Sequence, residues 1–271
     1  MPVSTRLKTT VLLVSLLLPA AAPAGAASCS AESGNTRVAL LELYTSEGCD
    51  SCPSADRWLS ALPQRGHTPQ RVLALAFHVD YWNYLGWQDP YAQSRFSARQ
   101  RDASRRHQAR VVYTPQLLLD GADYRRGTFR DDIGERIAAI NSRMPGARIS
   151  ATLDAGGDRQ RLRGQVTMAA GVTRHAGQAY VAVYENNLIN DVAAGENRGK
   201  RLRHDFVVRE LHGPLAIDDT GRLDIDRPLV RDRRWKTANL HVALFVQDAA
   251  TGEGLQALSL PWCSAGAPVA R

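Results

Sequence analysis

The chain has 271 residues, of which 44% are hydrophobic and 23% charged. Those are the proportions of an ordinary globular protein, which excludes a disordered chain, a collagen and a multi-span membrane protein. Lys and Arg number 34 against 27 Asp and Glu, a formal charge of +7, too mild an excess to indicate nucleic-acid binding.

Residues 1–26 read MPVSTRLKTTVLLVSLLLPAAAPAGA. Arg6 and Lys8 precede the apolar run Val11–Leu18, and small residues come next, ending Ala24-Gly25-Ala26. This is the three-part layout of a secretory signal peptide. The apolar run is shorter than the roughly 20 residues that span a bilayer, and no later stretch is longer. The expected product starts near Ala27 and is secreted or periplasmic, not membrane-spanning. Cys29 lies close behind, but Ala26 stands where a lipoprotein signal has Leu, so no lipid anchor is expected.

From Thr36 the chain alternates strand and helix. RVALLELYT is a nearly continuous apolar run, as in a strand covered on both faces. Pro53 suits a first helical turn, and Ala55, Trp58, Leu59 and Leu62 continue at helical spacing until Pro63. RVLALAFHVDY is a second buried strand, residues 90–109 are expected to be helical, and QLLLDG is a third strand with ADYRRG turning back beside it. Thr128 and Asp131 resemble a capping box, with Phe129, Ile133, Ile137 and Ile140 on one helix face after it.

After Pro145-Gly146 the period changes. ARISATLDA, RLRGQVTMAA, QAYVAVYENN, HDFVVRELHG, TANLHVALFVQDA and GLQALSLP are short alternating runs between turn residues. The pattern predicts three segments: a signal peptide over 1–26, an α/β domain over 36–144, and a mostly antiparallel β-sandwich-like domain over 146–263.

Export allows disulfides, and the four cysteines are Cys29, Cys49, Cys52 and Cys263. Cys49 and Cys52 close only a tiny ring, the spacing of a redox pair, whereas Cys29 and Cys263 near the two ends of the mature chain are expected to form a structural disulfide. Cys49 falls at a helix N-terminus, where the dipole and unpaired N–H groups favour thiolate. Asp50 and Glu47 oppose that effect. A zinc site would need four ligands, and the chain has no second Cys-x-x-Cys. A haem attachment would need His where Pro53 stands.

Cys49, Cys52 and Pro115 match the motif positions of a thioredoxin-like domain, which the first half resembles. That resemblance implies a cis Thr114-Pro115 bond facing the cysteines, with the Thr114 backbone open to a substrate. It also implies a buried acid before the first cysteine that shuttles the resolving cysteine's proton. Glu42 is the candidate, one residue out of place. Gly48 departs from the usual Trp before the first cysteine, and the stretch before Pro115 is longer than usual. More closely, LELYTSEGCDSCPSAD, HVDYWNYLGWQDPY with SARQ, VYTPQLLLDG and GENRGKRLRHDFVVREL resemble a family of secreted proteins called domain of unknown function 1223. That family implies a thioredoxin-like fold and export, and no established reaction.

The chemistry expected is thiol–disulfide exchange on a protein thiol or disulfide of the cell envelope. Cys49 attacks from a solvent-facing position, Cys52 resolves, Pro115 positions, and no organic cofactor is implied. Trp82 and Trp87, in a loop with Tyr81, Tyr84 and Tyr91, are candidates for a substrate groove. Two alternatives stand beside this reading: a non-enzymatic binding protein, and a copper carrier using Cys49, Cys52 and His78. His78 and Asp80 end the second strand on one face. The polar block from Gly195 through Lys200 to Asp205 either docks against the first half or is a solvated loop.

Overall fold

The computed structural model describes Met1 and residues 28–109, 111–124, 132–172 and 177–264. The expected signal peptide and the capping box at Thr128 and Asp131 lie outside the described residues.

The first strand, β1 (Ser28–Glu32), precedes β2 (Ala39–Thr45). All seven residues of β2 are buried, as its unbroken apolar run requires of a strand covered on both faces. α1 (Cys52–Ser60) begins at the second cysteine of the pair with Pro53 in its first turn, where a missing N–H costs nothing. β3 (Val72–His78) runs parallel to β2, placing Thr45 beside His78 at the carboxyl ends of both. After α2 (Ser94–Arg106) the chain returns as β4 (Gln116–Leu119), antiparallel to β2, and turns into the two-residue β5 (Ala122–Asp123). α3 (Ile133–Asn141) buries Ile133, Ile137 and Ile140, one helical stripe. The rest is strand: β6 (Ala147–Asp154), β7 (Arg159–Met168), β8 (Gly177–Glu185), β9 (Leu188–Asp191), β10 (Arg201–His204), β11 (Val207–Ala216), β12 (Arg222–Val230), β13 (Leu240–Asp248) and β14 (Gly254–Pro261).

These strands correct the expected fold class. An α/β thioredoxin-like domain followed by its own β-sandwich is not what forms. The described chain is mostly strand, and one mixed sheet of eight strands runs through both halves in the order β14-β13-β8-β11-β3-β2-β4-β5. The join is β11 against β3: Val207 lies opposite Ala76, and the Ala76 N–H donates to the Phe206 carbonyl at 2.8 Å. The physical reason is the open edge of β3, whose unpaired N–H and C=O groups need partners once the strand is buried.

A second sheet, β1-β6-β7-β12, packs on the β14-β13-β8 end of the first. Alternation then splits β8 and β13 between two cores. Val181, Val183, Val242 and Leu244 face the second sheet. Tyr180, Ala182, Tyr184 and Phe245 join the core that holds β2, β3 and the helices. A Cys29–Cys263 disulfide links β1 to the residues after β14. Among the described residues no helix is long and apolar enough to cross a membrane.

Candidate functional site

β2 and β3 end together, and the loops leaving their carboxyl ends meet the first turn of α1. Cys49 and Cys52 form a disulfide there. Cys49 lies in a tight turn whose N–H donates to the Ser46 carbonyl at 3.2 Å, and the Cys52 N–H donates back to the Cys49 carbonyl at 3.3 Å. Ser51, at the N-cap, gives no side-chain cap. The nearest exposed amide before it, Asp50 N–H, is met by the Glu196 carboxylate at 3.0 Å. A carboxylate at that position suits the positive end of the helix.

The residues that flank the pair in the chain join a buried ionisable cluster. Glu47 is fully buried, and its carboxylate accepts from Trp87 Nε1 and Asn190 Nδ2, each at 2.8 Å. His204 Nε2 lies 3.1 Å from the Glu47 Oε1, and its Nδ1 lies 3.5 Å from Asp56 Oδ2. The second contact is an ion pair without an aligned hydrogen bond, so Asp56 Oδ2 and His204 Nδ1 are buried with no hydrogen-bond partner. Burial works against charge on His204, but the attraction of Asp56 and Glu47 outweighs it and pushes its pKa up to about 10. His204 is therefore held as an imidazolium at neutral pH, between the side chains of Glu47 and Asp56.

A second pair adjoins the first. The His78 ring meets the His204 ring edge-on at 5.0 Å, with Tyr91 against both. His78 Nδ1 is 2.7 Å from Asp89 Oδ2, while His78 Nε2 is buried without a hydrogen-bond partner. Burial favours a neutral Asp89, but His78 and the N–H groups of Glu47 and Tyr91 more than offset this and hold its pKa below the usual carboxylate range.

The residues singled out in the sequence are distributed unevenly. Thr114 and Pro115 reach this end of the sheet because Gln116 opens β4 opposite Tyr44. The Thr114-Pro115 bond is cis. Trp82 donates from Nε1 to Thr114 Oγ1 at 2.7 Å and packs on Gly48, where an added Cβ would come within 2.9 Å of the Trp82 Cβ. That contact accounts for glycine before the first cysteine. Trp82 and Trp87 are half-buried struts, and Tyr84 is the exposed aromatic of their loop.

Two expectations are corrected. Glu42 does not serve the cysteines: it bonds Arg99 of α2 at 2.8 Å, and Arg99 also reaches Gln247 of β13 at 2.6 Å. Its place in mid-strand, with both neighbours in the apolar core, demands a buried cation instead. Cys49 does not face solvent and is 1% exposed. Its cover is the segment after β9: Asn197, fully buried, donates from Nδ2 to the carbonyls of Glu47 and Cys49, each at 2.8 Å.

His78 and Asp80 part company, since Asp80 is taken by Ser97 at the start of α2. Among the described residues no group of three His, Cys, Asp or Glu is arranged to hold a metal ion. Asp56 and Asp89 escaped sequence reasoning, and His204 appeared there only inside a polar block. The one local signal was Asp56 four positions after Cys52, on the same helix face.

The chain belongs to the family described as Protein of unknown function (DUF1223), whose model matches residues 40–247. Protein AGR_C_4864 from Agrobacterium tumefaciens, a crystal structure, is 25% identical with a TM-score of 0.61, covering 87% of this chain and 99% of that one. HBP35 of Porphyromonas gingivalis is 14% identical with a TM-score of 0.64, covering 88% of this chain and 81% of that one, a likeness of fold alone. No curated protein matches the chain.

Proposed function

We propose that this DUF1223 protein is a thiol–disulfide oxidoreductase acting outside the cytoplasm on protein partners of the cell envelope. The observation that carries the reading is a Cys-x-x-Cys disulfide at a helix start, flanked in the chain by Glu47 and Asp56, two buried acids that both meet the buried His204. A disulfide that only stapled the fold would gain nothing from buried charges, which are costly to keep. The signal-peptide pattern of residues 1–26 supports the location.

In the exchange, a partner thiolate attacks Cys49 Sγ, the Cys49–Cys52 bond breaks, and its electron pair leaves on Cys52 Sγ. A second partner thiol then gives up its proton and attacks the mixed disulfide at the partner's sulfur, releasing Cys49. The partner is oxidised to a disulfide and the pair is reduced, two protons passing from partner thiols to Cys49 and Cys52. In this reading the Cys52 proton is exchanged by Asp56, four positions beyond Cys52 on α1, with His204 beside it. That is the role the resemblance assigned to Glu42.

Redox titration in defined thiol buffers tests the reading. Exchange proteins have midpoints from about −120 to −270 mV, and structural disulfides lie below about −300 mV. A midpoint in the first range is expected for Cys49–Cys52, and one below about −300 mV overturns the proposal.

A further inference from the structure

The cover over Cys49 is built more carefully than a solvated loop needs. Residues 192–200 form a closed turn, with the Val192 N–H donating to the Lys200 carbonyl at 3.0 Å and the Gly199 N–H to the Val192 carbonyl at 2.8 Å. Asn197 points inward from that turn. Its amide reaches two carbonyls of the cysteine loop, and its Oδ1 accepts from Lys200 Nζ at 2.8 Å, so every polar atom of a fully buried side chain is used. Glu196, exposed, takes the Asp50 N–H.

Gly195 has φ +74, and an added Cβ would stand 3.4 Å from the Trp87 Cβ and 3.8 Å from the Gly48 Cα. The turn therefore lies directly on the cysteine loop and relies on a glycine to do so. Its contacts are two donors to backbone carbonyls and one acceptor on a backbone N–H. Those are the groups that an incoming extended polypeptide presents.

Building on the oxidoreductase reading, we infer that residues 195–200 are an internal stand-in for the partner polypeptide and decide which thiols reach Cys49. With the segment seated, Cys49 Sγ is closed to attack. A polypeptide that offers its own amide donors to the carbonyls of Glu47 and Cys49, and its own carbonyl to the Asp50 N–H, replaces the segment as it binds. A small thiol has nothing to offer in exchange and waits for spontaneous opening. The substrate class is therefore a protein segment, and free thiols of low mass are discriminated against.

The test compares reduction of the two disulfides of the oxidised chain by glutathione, with quenched alkylation and peptide mapping as the readout. In Asn197→Ala the rate of Cys49–Cys52 reduction should rise roughly tenfold, as expected for losing a bond of ordinary strength from the closed state. In Glu196→Gln, an exposed change that cannot prevent folding, it should rise less. Cys29–Cys263 should be reduced at the original rate in both. Unchanged Cys49–Cys52 rates in both variants, or equal acceleration of the two disulfides, overturns the inference. A midpoint below about −300 mV removes the oxidoreductase reading but leaves these rates to be scored by themselves.

Discussion

Cys29–Cys263 joins residues 234 positions apart, and Cys49–Cys52 joins residues 3 apart. The first lies against the apolar core between the two sheets, beside Leu153, Leu162 and Trp262. Its polar surroundings are neutral: the Gln160 amide donates to the Cys263 carbonyl and accepts from its N–H. The second is flanked in the chain by Glu47 and Asp56, which share His204, and Asn197 bonds the Cys49 carbonyl. In the chain-entropy account a crosslink stabilises by restricting the unfolded chain, worth roughly 5 kcal/mol for a loop of this length against roughly 2 for the shortest. The contrast separates two uses of one bond. The long loop in an apolar setting holds the chain together. The short loop in an ionisable setting does little for stability and has proton acceptors and donors at hand.

The largest effect should come from breaking the long crosslink. Replacing both Cys29 and Cys263 with Ser is expected to cost up to about 5 kcal/mol in denaturant unfolding, with Cys49–Cys52 exchange intact in whatever fraction remains folded. A cost smaller than that of removing the short crosslink would reverse the comparison.

Next in size is His204→Gln, which strips the cation from between two buried carboxylates. Breaking a buried pair on one side costs about 3–5 kcal/mol. The pH dependence carries a sign that packing alone does not. The folded state raises the His204 pKa from 6.5 to about 10. Its stabilisation is therefore complete below about pH 6.5 and is lost as pH rises through about 10. Unfolding free energy of the native chain should decline across that window, and the decline should be missing in His204→Gln. Parallel curves for the two proteins would show that the imidazolium is not what holds the cluster.

The smallest effect is expected from replacing Cys49 and Cys52 together with Ser: about 2 kcal/mol or less, with thiol–disulfide exchange abolished. A loss near that of the long crosslink would make the short one a staple as well.

How far the sequence could be read depended on whether a feature was local. The all-buried β2 and β3, the helix opening at Pro53, the alternation in β6 and the stripe of α3 each arise from a few neighbouring residues, and each lies where its period puts it. The joining of the two halves had no such signal. It depends on Ala76 and Val207, which meet from opposite halves of the chain, and nothing in either strand's own pattern names its partner. The same holds for the site. Cys49 and Cys52 were evident from spacing, but Glu47 meets His204 from 157 positions away and Cys49 meets Asn197 from 148. Glu42 was misjudged for a related reason. Position within a strand gives the face a side chain takes, and Arg99, the cation that waits on that face, comes from a helix 57 positions further along the chain.

The separation of Glu47 from His204 also sets an order of events during synthesis. The cysteine pair and α1 leave the ribosome long before β10, so the nascent chain carries an uncovered pair of thiols with half of its acid–base cluster missing. Asn197 and His204 arrive together with the edge that β11 brings to β3. Cover, ionisable cluster and sheet closure thus all wait for residues that come late in the chain. Until those residues arrive the pair has no cover, and afterwards Cys49 is buried with Asn197 bonded to its carbonyl. The environment of the pair is thus decided by residues about 150 positions further along the chain.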